Sequence, residues 1–313
     1  MNILRYSEWR ETALTLHMIS QMLGKTKLSR MEPQPQWNHI VLSLTPSGFT
    51  TGIIPYAEKT FSIELQAREG RVVTDGIDGR SSSFVLTNGV SISEYYAEYN
   101  RMLADVMCQT EIYTVPQEMN ITTPFEKNTD KLHYDGARAS DFFHMCVFAH
   151  NAILKFLSSF RGKKMLPSFF WGTFDVTGIV FSGKGRPFPG KGVIEETAFD
   201  EQMIEFGFWP GDDIVEEPSF FVLPYPFLTE EYPAKDYKVR PEKAIYSPEK
   251  AEYFLSLRDA LSYADPVQTL QEFFRDSYKA VTGYQKWENM DWFDMPLLIE
   301  KGSHALKRHR HDK

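Results

Sequence analysis

Residues 167–192 read P-S-F-F-W-G-T-F-D-V-T-G-I-V-F-S-G-K-G-R-P-F-P-G-K-G. Aromatic and β-branched residues at alternating positions predict strands over 168–174 and 177–181, a hairpin-like unit that then runs into a loop rich in glycine and cations. Trp171, Asp175 and Thr177 fall on alternate positions of a strand or just past its turn, so they project to one side. An acid beside an indole on a sheet face is a candidate site as well as a fold marker.

Working outward, a helix over 135–160 precedes this unit, with Phe142, Met145, Cys146, Ala149, Ile153, Phe156 and Phe160 on one stripe wide enough for a central position. Strands are expected over 203–208 and 219–223. Helices should open at Ser247-Pro248 and Asp265-Pro266, where a cap precedes proline at the first helical position. The first half has a similar order. A helix over 7–23 is capped by Ser7, ended by Gly24 and apolar on one face, and strands follow over 37–45, 49–54, 61–67, 71–74 and 84–86. A second helix opens at the capping box of Ser91 and Glu94. The expected fold is α+β: two similar antiparallel sheet-plus-helix units, a possible internal duplication, packed face to face as one globule. Their bounds are 1–130 and 131–285, with a C-terminal extension and basic tail over 286–313. On the duplication reading, Trp37 and Trp171 hold equivalent places, each opening an aromatic strand after a helix that ends in Gly-Lys.

Composition sets limits on function. The chain of 313 residues is 42% hydrophobic and 24% charged, enough to bury a large core and too apolar for a disordered protein. A net charge of -8 argues against a nucleic-acid or anionic membrane surface, which needs concentrated cations. Cys108 and Cys146 lack C-x-x-C spacing and read as core thiols. No run reaches membrane-spanning length and the first residues lack a signal-peptide core, so the expected location is cytoplasmic.

The segments L-H-M-I-S-Q-M-L-G-K (16–25), N-H-I-V-L-S-L-T-P-S-G-F-T-T (38–51), F-F-W-G-T-F-D (169–175), F-S-G-K (181–184) and G-F-W-P-G (207–211) resemble a mainly bacterial family classed as a domain of unknown function. The likeness spans nearly the whole chain and implies an architecture without a mechanism. Similar members often carry histidine where Ser168 and Asp200 stand here, so the resemblance implies no histidine-based or metal-based chemistry for this chain.

Several residues are candidates for chemistry. Asp175 and His39 are the candidate catalytic groups, because an acid buried against tryptophan is pushed toward general-acid range. Trp171, Asp175, Trp209, His39, His17, Gln21, Lys184 and Arg186 are the candidate ligand-binding set: indoles to stack, the His17–Gln21 pair on one helix face, and the two cations to meet an anionic group. Residues 185–191 match G-x-x-x-x-G-K, but Gly192 follows in place of Ser or Thr and two prolines remove amide donors, so no phosphate loop is read there. The acids from Glu195 to Glu217 fit no calcium loop and read as a solvated face. Scattered histidines and single cysteines predict no bound transition metal and no cofactor. The expected function is a cytoplasmic small-molecule-binding protein with an aromatic-lined polar pocket for a small polar or anionic molecule, with catalysis left open, and with no nucleic-acid or membrane partner. The alternative is a non-enzymatic interaction or structural protein.

Overall fold

The computed structural model describes residues 2–297. Its first helix, α1 (Arg10–Arg30), runs well past the expected stop at Gly24. Helical glycine costs ~1 kcal/mol against alanine. The residues beyond it, Lys25, Thr26 and Lys27, are buried and bonded to distant segments, and this tertiary gain keeps the helix going. Nor is α1 apolar on one face only: it is buried on nearly all sides from Thr12 to Lys27. It is a central helix.

After α1 the chain forms β1 (Ser43–Leu44), β2 (Phe49–Thr50), β3 (Ile54–Tyr56), β4 (Lys59–Gln66), β5 (Arg71–Gly76) and β6 (Ser81–Val85). They make an antiparallel sheet of order β1-β2-β4-β5-β6, with β3 also on β4. Trp37 does not open a strand; it ends a short 3-10 turn, and with Gln36 it has left-handed backbone. β7 (Val90–Ser91) leads into α2 (Ile92–Asp105), whose capping box of Ser91 and Glu94 forms as expected. β8 (Lys131–Leu132) pairs with β7, and Asp135 caps α3 (Gly136–Leu157).

The second sheet takes β9 (Lys164–Phe170), β10 (Asp175–Gly185), β11 (Glu201–Trp209), β12 (Ser219–Tyr225), β13 (Ile245–Ser247) and β14 (Glu252–Ser256) in the order β13-β14-β12-β11-β10-β9, all antiparallel. A six-residue helix, α4 (Val193–Ala198), sits in the connection between β10 and β11. Ser247 ends a strand and opens no helix; the chain turns back into β14, and Ser256 caps α5 (Leu257–Leu261) instead. Asp265 caps α6 (Pro266–Tyr284) as the sequence predicts. In the 286–313 extension, α7 (Met290–Phe293) stacks Phe293 on Phe160 at 4.9 Å; the basic tail lies outside the described residues.

One face of the second sheet carries Val176, Val180, Ile204, Phe206, Phe208, Phe220 and Val222 and packs on α3 and α6, with Phe156 and Phe274 against Phe206. The two sheets are not stacked face to face. They meet at their edges, where Leu42 and Phe169 exchange two backbone hydrogen bonds of 2.9 and 2.7 Å. Trp9 on Phe142 and Phe49 on Phe169 merge both halves into one core. Trp171 lies in the turn between β9 and β10, so it and Trp37 hold different structural places and the expected equivalence fails.

Candidate functional site

The opposite face of the second sheet follows the two-residue period: Asp175, Thr177 and Ile179 on β10, Met203, Glu205 and Gly207 on β11, and Glu252 on β14. Over it lies a cavity of about 200 Å3. The β9–β10 turn contributes Phe170, Trp171, Gly172 and Thr173; the sheet gives Ile179, Met203 and Glu205; the 3-10 turn gives Gln36 and Trp37. α4 covers it with Ile194, Glu195 and Ala198, and Gln117 and Glu118 close one side.

A ladder of polar side chains on α1 builds two of these walls. Gln21 donates to Gln117 O at 2.8 Å and accepts from Gln117 N at 2.9 Å. Lys25 Nζ donates to Val115 O at 2.8 Å, and Ser29 Oγ to Glu111 O at 2.9 Å. Four helical residues rise ~6 Å, close to the ~6.6 Å spanned by two extended residues, so steps of four on the helix match the segment's carbonyls at 117 and 115. One turn earlier His17 Nε2 donates to Gly172 O at 3.0 Å and stacks on Phe174 at 4.6 Å. Burial holds the imidazole neutral, down to about 4, so His17 serves as a fixed donor.

Two glycines let these parts meet. A Cβ on Gly24 would lie 2.0 Å from Trp171 Nε1, so the bare backbone there is what admits the indole, whose Nε1 donates to Ile40 O at 3.0 Å. A Cβ on Gly172 would lie 1.8 Å from Glu118 Oε2. Glu118, an exposed residue, lays its carboxyl over the turn at Gly172. Gln36, Trp37 and Glu118 all adopt left-handed backbone, at φ 52°, 56° and 56°. Such geometry costs a non-glycine residue roughly 1–3 kcal/mol and persists where surroundings enforce it. Here Gln36 donates to the Asp200 carboxylate and accepts from Lys163 Nζ at 2.9 Å, while Trp37 Nε1 donates to Ile194 O at 3.0 Å and so ties α4 to the pocket.

The pocket's electrostatics are those of crowded acids. Asp175 is 4% exposed and accepts from the hydroxyls of Thr173 and Thr177, the latter at 2.8 Å. Thr177 also reaches Glu205. Loss of water raises both carboxyls, and the charge of Asp175 drives Glu205 further, so Glu205 keeps its proton to higher pH than Asp175. Desolvation, with added repulsion from Asp175, lifts Glu118 to about 7; it lifts Glu252 to about 7 against the pull of Lys250. At neutral pH this face holds protons that ordinary carboxyls would have lost.

The candidate residues are sorted accordingly. Trp171 lines the cavity, Asp175 lies beneath it, and His17 and Gln21 stand behind its walls. His39 is turned away: its Nδ1 accepts from Gln34 N at 3.1 Å and its ring packs beside Trp37. Trp209 lies farther along β11 beneath Lys250 Nζ at 5.6 Å. Lys184, exposed, faces Glu288 at 3.9 Å, and exposed Arg186 bonds through its amide to Asp200 O, so neither expected cation reaches the pocket. Sequence reasoning placed Glu205 on a solvated face; it sits in the cavity wall. It also passed over Glu118 and Glu252. The available signal was an acid at the centre of the apolar run M-I-E-F-G-F.

Among the described residues, no group of three or more His, Cys, Asp or Glu side chains could hold a metal ion, and no helix is long and apolar enough to cross a membrane. No curated protein and no solved structure matches the chain. A family model does match residues 1–292, which is most of the chain and includes every wall of the cavity. The chain belongs to that family, described as a family of unknown function (DUF5996).

Proposed function

We propose that this is a cytoplasmic small-molecule-binding protein whose ligand occupies the cavity between the acidic face of the second sheet and α4. The observation that carries the reading is the convergence there of two indoles, strained backbone and uncompensated carboxyls, a costly arrangement that packing alone does not require. In this reading Trp37 and Trp171 form the walls, Glu118 and Glu205 meet the ligand's polar groups, and Asp175 orients Glu205 through Thr177. The two buried free thiols, Cys108 and Cys146, suit a reducing compartment.

The test begins with mass spectrometry of the purified protein for a retained compound, followed by titration of that compound against tryptophan emission. Trp37→Leu and Trp171→Leu should each weaken binding at least tenfold, whereas Trp209→Leu should leave it unchanged. Asp175→Asn should also weaken binding, with the melting temperature held within a few degrees because Asn keeps an acceptor for Thr177. Equal binding by all four variants would remove the ligand from this cavity.

A further inference from the structure

Among the described residues, every ionisable side chain lining the cavity is an acid: Glu118, Glu195 and Glu205. The described cations nearest to it are committed elsewhere. Lys25 Nζ bonds to Val115 O and Gln117 Oε1 and stands 5.9 Å from the Trp171 ring centre; buried Lys27 donates to Val41 O; Lys163 pairs with Glu201 and Gln36; Lys250 covers Trp209. The other walls are apolar, aromatic from Trp37, Phe170, Trp171 and Phe199 and aliphatic from Ile179, Ile194 and Met203 among others. An anion would meet three carboxyls and no counter-charge. A positive group would instead meet carboxylate oxygens and indole faces, the two surroundings that attract ammonium ions.

We propose that the pocket recognises a small organic cation, an ammonium or guanidinium group on a short apolar body, bound between Glu205, Glu118 and the faces of Trp37 and Trp171. The inference rests on reading the cavity as a binding site and narrows its ligand. Binding exchanges protons for the cation. Facing Glu205 are Asp175 from β10, Glu252 from β14, Glu118 from the 106–124 segment and Glu195 from α4, with Thr177 the neutral partner. Among the described residues the cation acting on this set is Lys250, beside Glu252. A cation entering against Glu205 and Glu118 therefore expels the protons that burial makes these two carboxyls hold near neutral pH, and its affinity rises as pH rises.

The experiment is calorimetric titration with choline, whose charge does not titrate, and with its neutral isostere 3,3-dimethylbutan-1-ol, from pH 5.5 to 8.5 in two buffers of different ionisation enthalpy. Butylguanidine and 1,4-diaminobutane extend the cation set. At least one cation should bind, gain at least tenfold in affinity across that range and release protons near pH 7. The neutral alcohol should bind at least tenfold more weakly than choline at pH 8.5. Glu205→Gln should flatten the pH profile and cut cation affinity about tenfold; Glu118→Gln gives the same readout should the first variant fail to fold. Alcohol and choline binding equally, independent of pH, would overturn the cation while leaving the pocket standing. No cation binding at millimolar concentration, with a neutral compound retained and lost in Trp171→Leu, would do the same. Binding of a cation that survives both tryptophan substitutions would place it elsewhere and overturn both readings.

Discussion

At the scale of single residues, Glu205 shows how one group links stability to readiness for a ligand. Its carboxyl is raised in the folded protein, so between the ordinary glutamate range and about 8 the folded state holds a proton that the unfolded chain has lost. Stability therefore falls as pH rises through that window, by up to ~1.4 kcal/mol per unit. His17 works in the opposite sense, but below about pH 6.5, because its neutral folded form resists protonation. Between pH 6.5 and 8 the acids act alone among these groups. Glu205→Gln mimics the protonated form and should match the parent near pH 4, then become increasingly the more stable protein as pH rises to 8. Denaturant midpoints at the two pH values check this, and a constant difference would show that Glu205 stays ionised in the folded protein. Lys25 is the mirror case, a buried ammonium lowered to about 8 by loss of water.

At the scale of elements, the ladder of Gln21, Lys25 and Ser29 turns α1 into a template for the 111–117 segment. Gln21→Ala removes both bonds to the Gln117 backbone and should cost ~1–3 kcal/mol. Exchange of the Gln117 amide should quicken at least tenfold while amides of β11 keep their protection, a pattern hydrogen exchange resolves. Uniform quickening across both would make Gln21 a general packing residue. The sequence showed half of this device. His17 and Gln21 read as a pair on one helix face, yet Gly24 read as a stop, so Lys25 and Ser29 fell outside the helix. Glycine ends helices by local preference; Gly24 answers to Trp171, almost 150 positions away, and no local rule reports that. The strands β10, β11 and β12 and the caps at Ser91 and Asp265 were legible because their causes lie within a few residues. Glu118 was not, since its part in the site depends on a neighbouring glycine in another element.

At the scale of the whole molecule, the two halves share a core that includes Trp9 on Phe142 and Phe49 on Phe169. Thermal unfolding should then be one transition with equal calorimetric and van't Hoff enthalpies, and the chain divided at 130/131 should yield two unfolded fragments. Two separable melting events would instead show autonomous units. The backbone bridge from Leu42 to Phe169 bears on traffic as well as on cohesion. It fastens the strand after Trp37 to the strand before Trp171, so the two indole walls stand on one frame and cannot swing apart as jaws. α4 belongs to neither sheet, and the indole bond from Trp37 to Ile194 works as its latch. On the proposed reading, entry and escape follow the lifting of that latch, a local event, and Trp37, being both wall and latch, sets fit and residence time together.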